Sequence, residues 1–152
     1  MTRKKRAWLC FGLYCALMLW LLFGQRVGWI GSGTYWQQLR DNSNLEPFDT
    51  VRRYLWVLRH SASRSQIRHA VINLGGNVAM FVPLGVFTPC LWPKMRKFGR
   101  HFLTMVVTIV TIELLQLFTL LGSCDVDDLL LNLVGTTLGF AIWKLWTWIS
   151  RK

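Results

Sequence analysis

Apolar residues run almost unbroken through residues 7–24, 70–93, 102–124 and 128–149 of this 152-residue chain. A helix needs about 20 such residues, at ~1.5 Å rise each, to cross a ~30 Å hydrocarbon core. The first two stretches carry no charge, the third carries only Glu113, and the fourth carries Asp128 at its start and Lys144. The pattern predicts an all-α protein, a four-helix transmembrane bundle forming a single integral membrane domain over residues 1–152. The long first loop, residues 25–69, has its own signal. Phe48, Val51, Leu55 and Leu58 recur at helical spacing, with Arg52, Arg53 and Arg59 on other faces. A short interfacial helix is expected there, its arginines level with lipid phosphates. Gly28, Gly31, Ser32 and Gly33 mark an irregular start to this loop, and Trp29, Tyr35 and Trp36 suit the headgroup region.

Composition agrees with the class. Fifty-three per cent of the residues are hydrophobic, with 9 Trp and 9 Phe, which is too apolar for an ordinary soluble domain. The net charge of +11 changes the picture only through its distribution. Basic clusters at Arg3–Arg6, Lys94–Arg100 and the C-terminal end fall on one side of a four-span topology. The acidic turn at Asp125–Asp128 falls on the other. The positive-inside rule then places both termini in the cytoplasm and the 25–69 loop outside. The charge is thus a topology signal, and no nucleic-acid partner is expected. The opening MTRKKR resembles a secretory n-region. The apolar stretch after it is long and lacks a small-x-small cleavage site, so a retained signal anchor is expected. Cys10, Cys15, Cys90 and Cys124 have no zinc-site or disulfide spacing and are expected as buried small apolar residues. No cofactor is expected, and metal binding stays open.

The candidate chemistry lies in polar residues inside the spans. A central carboxylate costs roughly 2.5–3.5 kcal/mol on insertion scales, so such groups should face one another or a cavity. Asn73 and Asn77 are one turn apart in the second span, with Gly76 beside them to admit a close backbone. Interhelical hydrogen bonding is the plainer reading of that pair. Pro83 removes a backbone donor and predicts a kink, and Gly85 follows it. In the third span Glu113 and Gln116 follow Thr104, Thr108 and Thr111. Glu113 falls halfway along 102–124, near the expected midplane, where a neutral acid bonded to an amide competes with a proton-exchanging site. The fourth span opens with Asp125, Asp127 and Asp128. Asp125 or Asp127 can cap the helix. Asp128, Asn132, Gly135 and Gly139 then lie along one stripe, which suits packing as well as a hydrated or cation-holding site. With the second and fourth spans entering from outside, all these polar groups converge on the outer half of the membrane.

The segments LEPFDTV (45–51), NLGGNVAMFVPLGVFTP (73–89), IELLQ (112–116) and DVDDLLLNLVGTTLG (125–139) resemble, in order and spacing, the VanZ-like family. The resemblance covers about residues 45–139. It implies a small multi-pass protein of the bacterial cytoplasmic membrane, and its founding member is associated with low-level resistance to teicoplanin. The motif positions it carries over are Asn73, Asn77, Pro83, Gly85, Glu113, Gln116, Asp125, Asp127, Asp128, Asn132 and Gly135. Many relatives have a basic residue shortly before the Asp motif; Leu121-Gly122-Ser123-Cys124 has none here.

Three functional classes follow. The first is a non-enzymatic envelope protein. It would alter access of surface-acting lipoglycopeptides such as teicoplanin, or handle an outer-leaflet component such as an anionic lipid or cell-wall precursor. The second is a proton-coupled transporter or lipid-moving protein using Glu113, although the inner halves of the spans offer little beyond Thr, Cys and Pro. The third is an intramembrane hydrolase on a lipid-linked substrate. Against it, His60, His69 and His101 have no evident pairing with the acids, and no Ser-with-base pattern is present.

Overall fold

The computed structural model describes residues 2–24, 33–61 and 63–150. Gly28, Trp29, Gly31 and Ser32, singled out above, lie outside the described residues. Six α-helices and a two-stranded parallel pairing are present among those described. They are α1 (Arg3–Phe23), α2 (Tyr35–Asp41), α3 (Asp49–His60), α4 (Arg64–Leu91), α5 (Phe98–Phe118) and α6 (Val126–Ile149), with β1 (Ser43–Asn44) beside β2 (Cys124–Asp125). Four of these, α1, α4, α5 and α6, are long and apolar enough to cross a membrane. The architecture is the expected all-α four-span bundle.

The most extensive interface joins α4 to α6, and glycine explains it. A Cβ on Gly85 would stand 2.1 Å from the carbonyl oxygen of Thr136, and one on Gly139 would stand 2.1 Å from that of Val82. At Gly135 the Val78 carbonyl oxygen would be 2.2 Å away. Only residues without a side chain let the two backbones meet this closely. Gly76 plays no such part, because a Cβ there would touch only Ile72 of its own helix, at 4.0 Å. The close approach runs along α4 from Val78, next to Asn77, to Gly85, about two turns further on. Pro83 sits within α4, which continues to Leu91. Next to the carbonyl that Pro83 cannot serve, the Tyr14 hydroxyl of α1 donates to the Met80 carbonyl at 2.9 Å.

The remaining helices pack around this pair. Met18, Phe81, Met105 and Ile109 form a buried apolar cluster from α1, α4 and α5. Towards the Pro93 end, α1 is held by aromatic edges, with Trp8 and Phe11 5.0 and 5.3 Å from Trp92 and Phe11 5.7 Å from Phe87. A 3-10 turn at Pro93–Arg96 links α4 to α5. Cys10 and Cys90, expected as buried residues, prove to be exposed on the helix surfaces.

The helix bounds differ from the apolar runs in one instructive place. The third spanning helix, α5, stops at Phe118 instead of running to 124, because Leu120 takes a left-handed conformation (φ 56°). The Gly122 N–H then reaches back to the Gln116 carbonyl at 3.2 Å, closing the helix end. Glu113 is consequently only about 7.5 Å of helix rise from that end, well off the midpoint expected for it. In the first loop, α3 starts near the expected position and packs on α4 through Thr50, Val51, Tyr54 and Val57. Thr50 is buried and Val51, Tyr54 and Val57 are half-buried, with α3 packed on α4, while Phe48, Leu55 and Leu58 stay exposed. Three of the four stripe residues therefore face the surroundings, Val51 excepted, which suits a helix lying at an apolar boundary.

Replacing Gly85 or Gly139 with alanine should lower the melting temperature of the detergent-solubilised protein, each overpacked site costing about 1–3 kcal/mol. Gly12→Ala, where an added Cβ meets nothing within 4 Å, should leave it unchanged. An unaltered melting temperature for Gly139→Ala would contradict backbone contact between α4 and α6.

Candidate functional site

The start of α6 organises the end of the bundle that carries α2 and α3. Asp125 sits at the N-cap, and its Oδ1 accepts from the Asp127 N–H at 2.8 Å. Its Oδ2 accepts from Thr50 Oγ1 at 2.7 Å and from Asn44 Nδ2 at 3.2 Å. One carboxylate thus caps its own helix and ties down the first loop. Asp127, fully buried at 0% exposure, reaches a different helix. It accepts from the backbone N–H of Phe48 at 2.6 Å and of Val51 at 2.9 Å, the open amides at the start of α3. Phe48 is held there in a left-handed conformation (φ 65°), a strained state for a bulky residue that these bonds sustain. The β1–β2 pairing, with the Cys124 N–H on the Asn42 carbonyl at 2.8 Å, completes the clip. This arrangement brings the segments LEPFDTV and DVDD together in space. Beside it the Cys124 thiol is pushed up from its ordinary pKa by burial and by the neighbouring Glu113 and Asp125, which keeps it a poor nucleophile.

Beneath the clip lies a cavity of about 280 Å³. Asn73 and Asn77 of α4, Glu113 and Gln116 of α5, and Asp128 and Asn132 of α6 all line it. Leu21 and Leu22 of α1 and Met80 of α4 supply an apolar wall, and Gly122 and Ser123 close the turn side. Asn77 donates through Nδ2 to Asp128 Oδ1, joining the two packed helices. Gln116 donates through Nε2 to the Leu22 carbonyl at 3.0 Å, fastening the end of α1 over the cavity. Glu113, 4% exposed, accepts from the Asp125 N–H at 3.4 Å, so clip and cavity share a wall. Asn132 is 2% exposed, and its Oδ1 has no partner; Asn73 Oδ1 is likewise buried and unpartnered. Two buried amide oxygens without partners, in residues that line a polar cavity, are an unmet hydrogen-bonding demand, unusual in a folded protein.

The eight residues expected as one polar site therefore divide. Six surround a single cavity, while Asp125 and Asp127 are engaged in holding the first loop. The Thr104, Thr108 and Thr111 hydroxyls bond to carbonyls one turn earlier in α5 and stay out of the site. Leu21, Leu22 and Met80 had no sequence signal, since apolar residues in a span are indistinguishable until the helices pack. Gly122 and Ser123 could have been noticed, as a small pair interrupting an otherwise apolar run. His101 is buried elsewhere, with Nδ1 3.1 Å from Thr88 Oγ1 and its ring against Phe140. Among the described residues no three His, Cys, Asp or Glu side chains are grouped to hold a metal.

Four apolar helices around an internal polar cavity define a multi-pass membrane protein with a buried site near one end. The VanZ/LLP1 family profile matches residues 11–147, nearly the whole chain. The protein belongs to the VanZ/LLP1 family. No match was found among curated proteins or among solved structures.

Because the clip and the cavity are separate devices, they should fail separately. Asp127→Ala removes the acceptor of two amides and should cost about 1–3 kcal/mol locally. Hydrogen exchange should then speed up at the Phe48 and Val51 amides, with protection kept along α4. Equal protection in both proteins would mean that α3 is held by something else.

Proposed function

We propose that this VanZ/LLP1-family protein is a non-enzymatic component of the bacterial cell envelope. It takes the polar part of an outer-leaflet molecule into the cavity between α4, α5 and α6, altering how surface-acting lipoglycopeptides such as teicoplanin meet their target. The observation that carries this reading is the convergence of six amide and carboxylate side chains from three helices on one cavity, with amide oxygens unsatisfied. A site of that polarity inside an apolar bundle is a binding site by default. The charge distribution supports an outward-facing position. The basic Arg3–Arg6 and Lys94–Arg100 clusters belong to the opposite end, which the positive-inside rule assigns to the cytoplasm.

The packing counts against a through-path. One turn along α5 from Glu113 lies Ile109, and one turn along α4 from Asn77 lies Phe81, both fully buried in the apolar cluster. A proton or lipid leaving the cavity towards the cytoplasmic end would have to part that cluster. This favours capture at one leaflet over transport across two.

The test is drug susceptibility of a teicoplanin-sensitive bacterium expressing this chain, with vancomycin as the control without a lipid tail. The wild type should reduce teicoplanin susceptibility, and Glu113→Gln and Asp128→Asn should lose the protection at equal membrane levels. Full protection from both well-expressed variants would remove the cavity from the function. Absence of protection by the wild type would detach the family's resistance association from this protein.

A further inference from the structure

We propose that the elbow between α3 and α4 binds an anionic phospholipid, whose phosphate sits among Arg59, Arg64 and Arg68 and whose acyl chain lies along an exposed stripe of α4. Residues 50–69 carry five arginines and no acid. All five are exposed. Arg53 pairs with Asp49 at 2.5 Å, and Arg52 Nε donates to the Phe48 carbonyl at 3.2 Å. Arg59, Arg64 and Arg68 have no hydrogen-bond or ion-pair partner among the described residues. They stand at the end of the bundle that the positive-inside rule assigns to the outside, where unpaired arginines run against that rule. Anionic head groups at that surface give the charge a partner, and a guanidinium fork matches the oxygens of a phosphate. The elbow is separate from the polar cavity and does not rest on the reading of the cavity as a ligand site.

The same elbow offers a place for the rest of the head. Between α3 and α4 opens a pocket of about 320 Å³, lined by Tyr54, Val57, Ser65, Gln66 and His69. Gln66 Oε1 accepts from Ser61 Oγ at 2.5 Å, which leaves its Nε2 as a donor. Together with the hydroxyls of Tyr54 and Ser65, that amide suits phosphate and glycerol oxygens. What lies further along α4 argues for a lipid over a free phosphate. Arg64, Arg68, Ile72, Gly75 and Ala79 recur at helical spacing on one face of the helix, and all five are exposed. A Cβ on Gly75 would meet nothing within 4 Å. The face is basic at its first two positions, then apolar and smooth for about two turns. A phospholipid presents phosphate and hydrocarbon in that order.

Photolabelling tests this, with the full chain in phosphatidylcholine vesicles that carry a trace of phosphatidylglycerol bearing a diazirine on its acyl chain. Peptide mapping should place the adducts on residues 72–79. The pair Arg64→Gln and Arg68→Gln should cut their yield roughly tenfold. Arg64→Lys with Arg68→Lys should keep most of the yield, because the charge stays. Lys97→Gln with Arg100→Gln, an equal loss of charge at the other end of the bundle, should leave it unchanged. A phosphatidylcholine with the same diazirine labelling residues 72–79 as strongly would overturn the anionic assignment. A yield indifferent to the glutamine pair would overturn the arginine site. Soluble glycerol phosphate competing as effectively as unlabelled phosphatidylglycerol would overturn the lipid as the ligand.

Discussion

The backbone contact between α4 and α6 is the constraint on which the rest of the structure depends. Gly85, Gly135 and Gly139 bring the two helices close enough that a single added methylene would meet a carbonyl oxygen. In a lipid environment such packing replaces the hydrophobic drive that pairs helices in water. Its consequence is positional. With the backbones fixed from Val78 and Gly135 onwards, Asn77 meets Asp128, and Asn73 and Asn132 come to line the same cavity. A looser pair would leave those polar groups facing lipid, at a cost of several kcal/mol.

The aspartates at the start of α6 show how one short motif serves two ends. Asp125 and Asp127 hold α3 and the β1 strand onto the bundle, and Asp128, one residue on, turns into the cavity. The two carboxylates of the clip have their acceptor capacity engaged by backbone and side-chain donors. The cavity is different, because buried amide oxygens there lack partners. That contrast separates groups whose hydrogen bonding completes the fold from groups whose hydrogen bonding the fold leaves incomplete.

Much of the architecture was legible along the chain. Apolar runs of spanning length translate directly into helices, since a membrane leaves backbone groups no other way to be satisfied. The stripe of Asp128, Asn132, Gly135 and Gly139 was legible too, because helical periodicity alone puts them on one face. Gly76 was not, because whether a glycine admits another backbone depends on where the helices cross. Nor was the end of α5. Composition continues apolar past Phe118, and only the turn at Leu120, closed on Gln116, stops the helix. The face that α3 turns to the bundle was not legible either. Val51, Tyr54 and Val57 compete with Phe48, Leu55 and Leu58 for the inward position, and the Asp127 bonds to the first turn set the rotation.

By itself the sequence determined the class of protein, the number of spans and the residues costly enough to need a polar setting. These follow from length, hydropathy and charge, which act locally and are written residue by residue. The tertiary structure alone decided which of those residues share a cavity and which are engaged elsewhere. Asp127 and Asp128 are neighbours with the same chemistry. They part company because one side chain reaches the open amides of α3 and the other the amide of Asn77, partners 76 and 51 residues away in the chain. Contacts at that separation depend on how helices pack, and no local pattern encodes them.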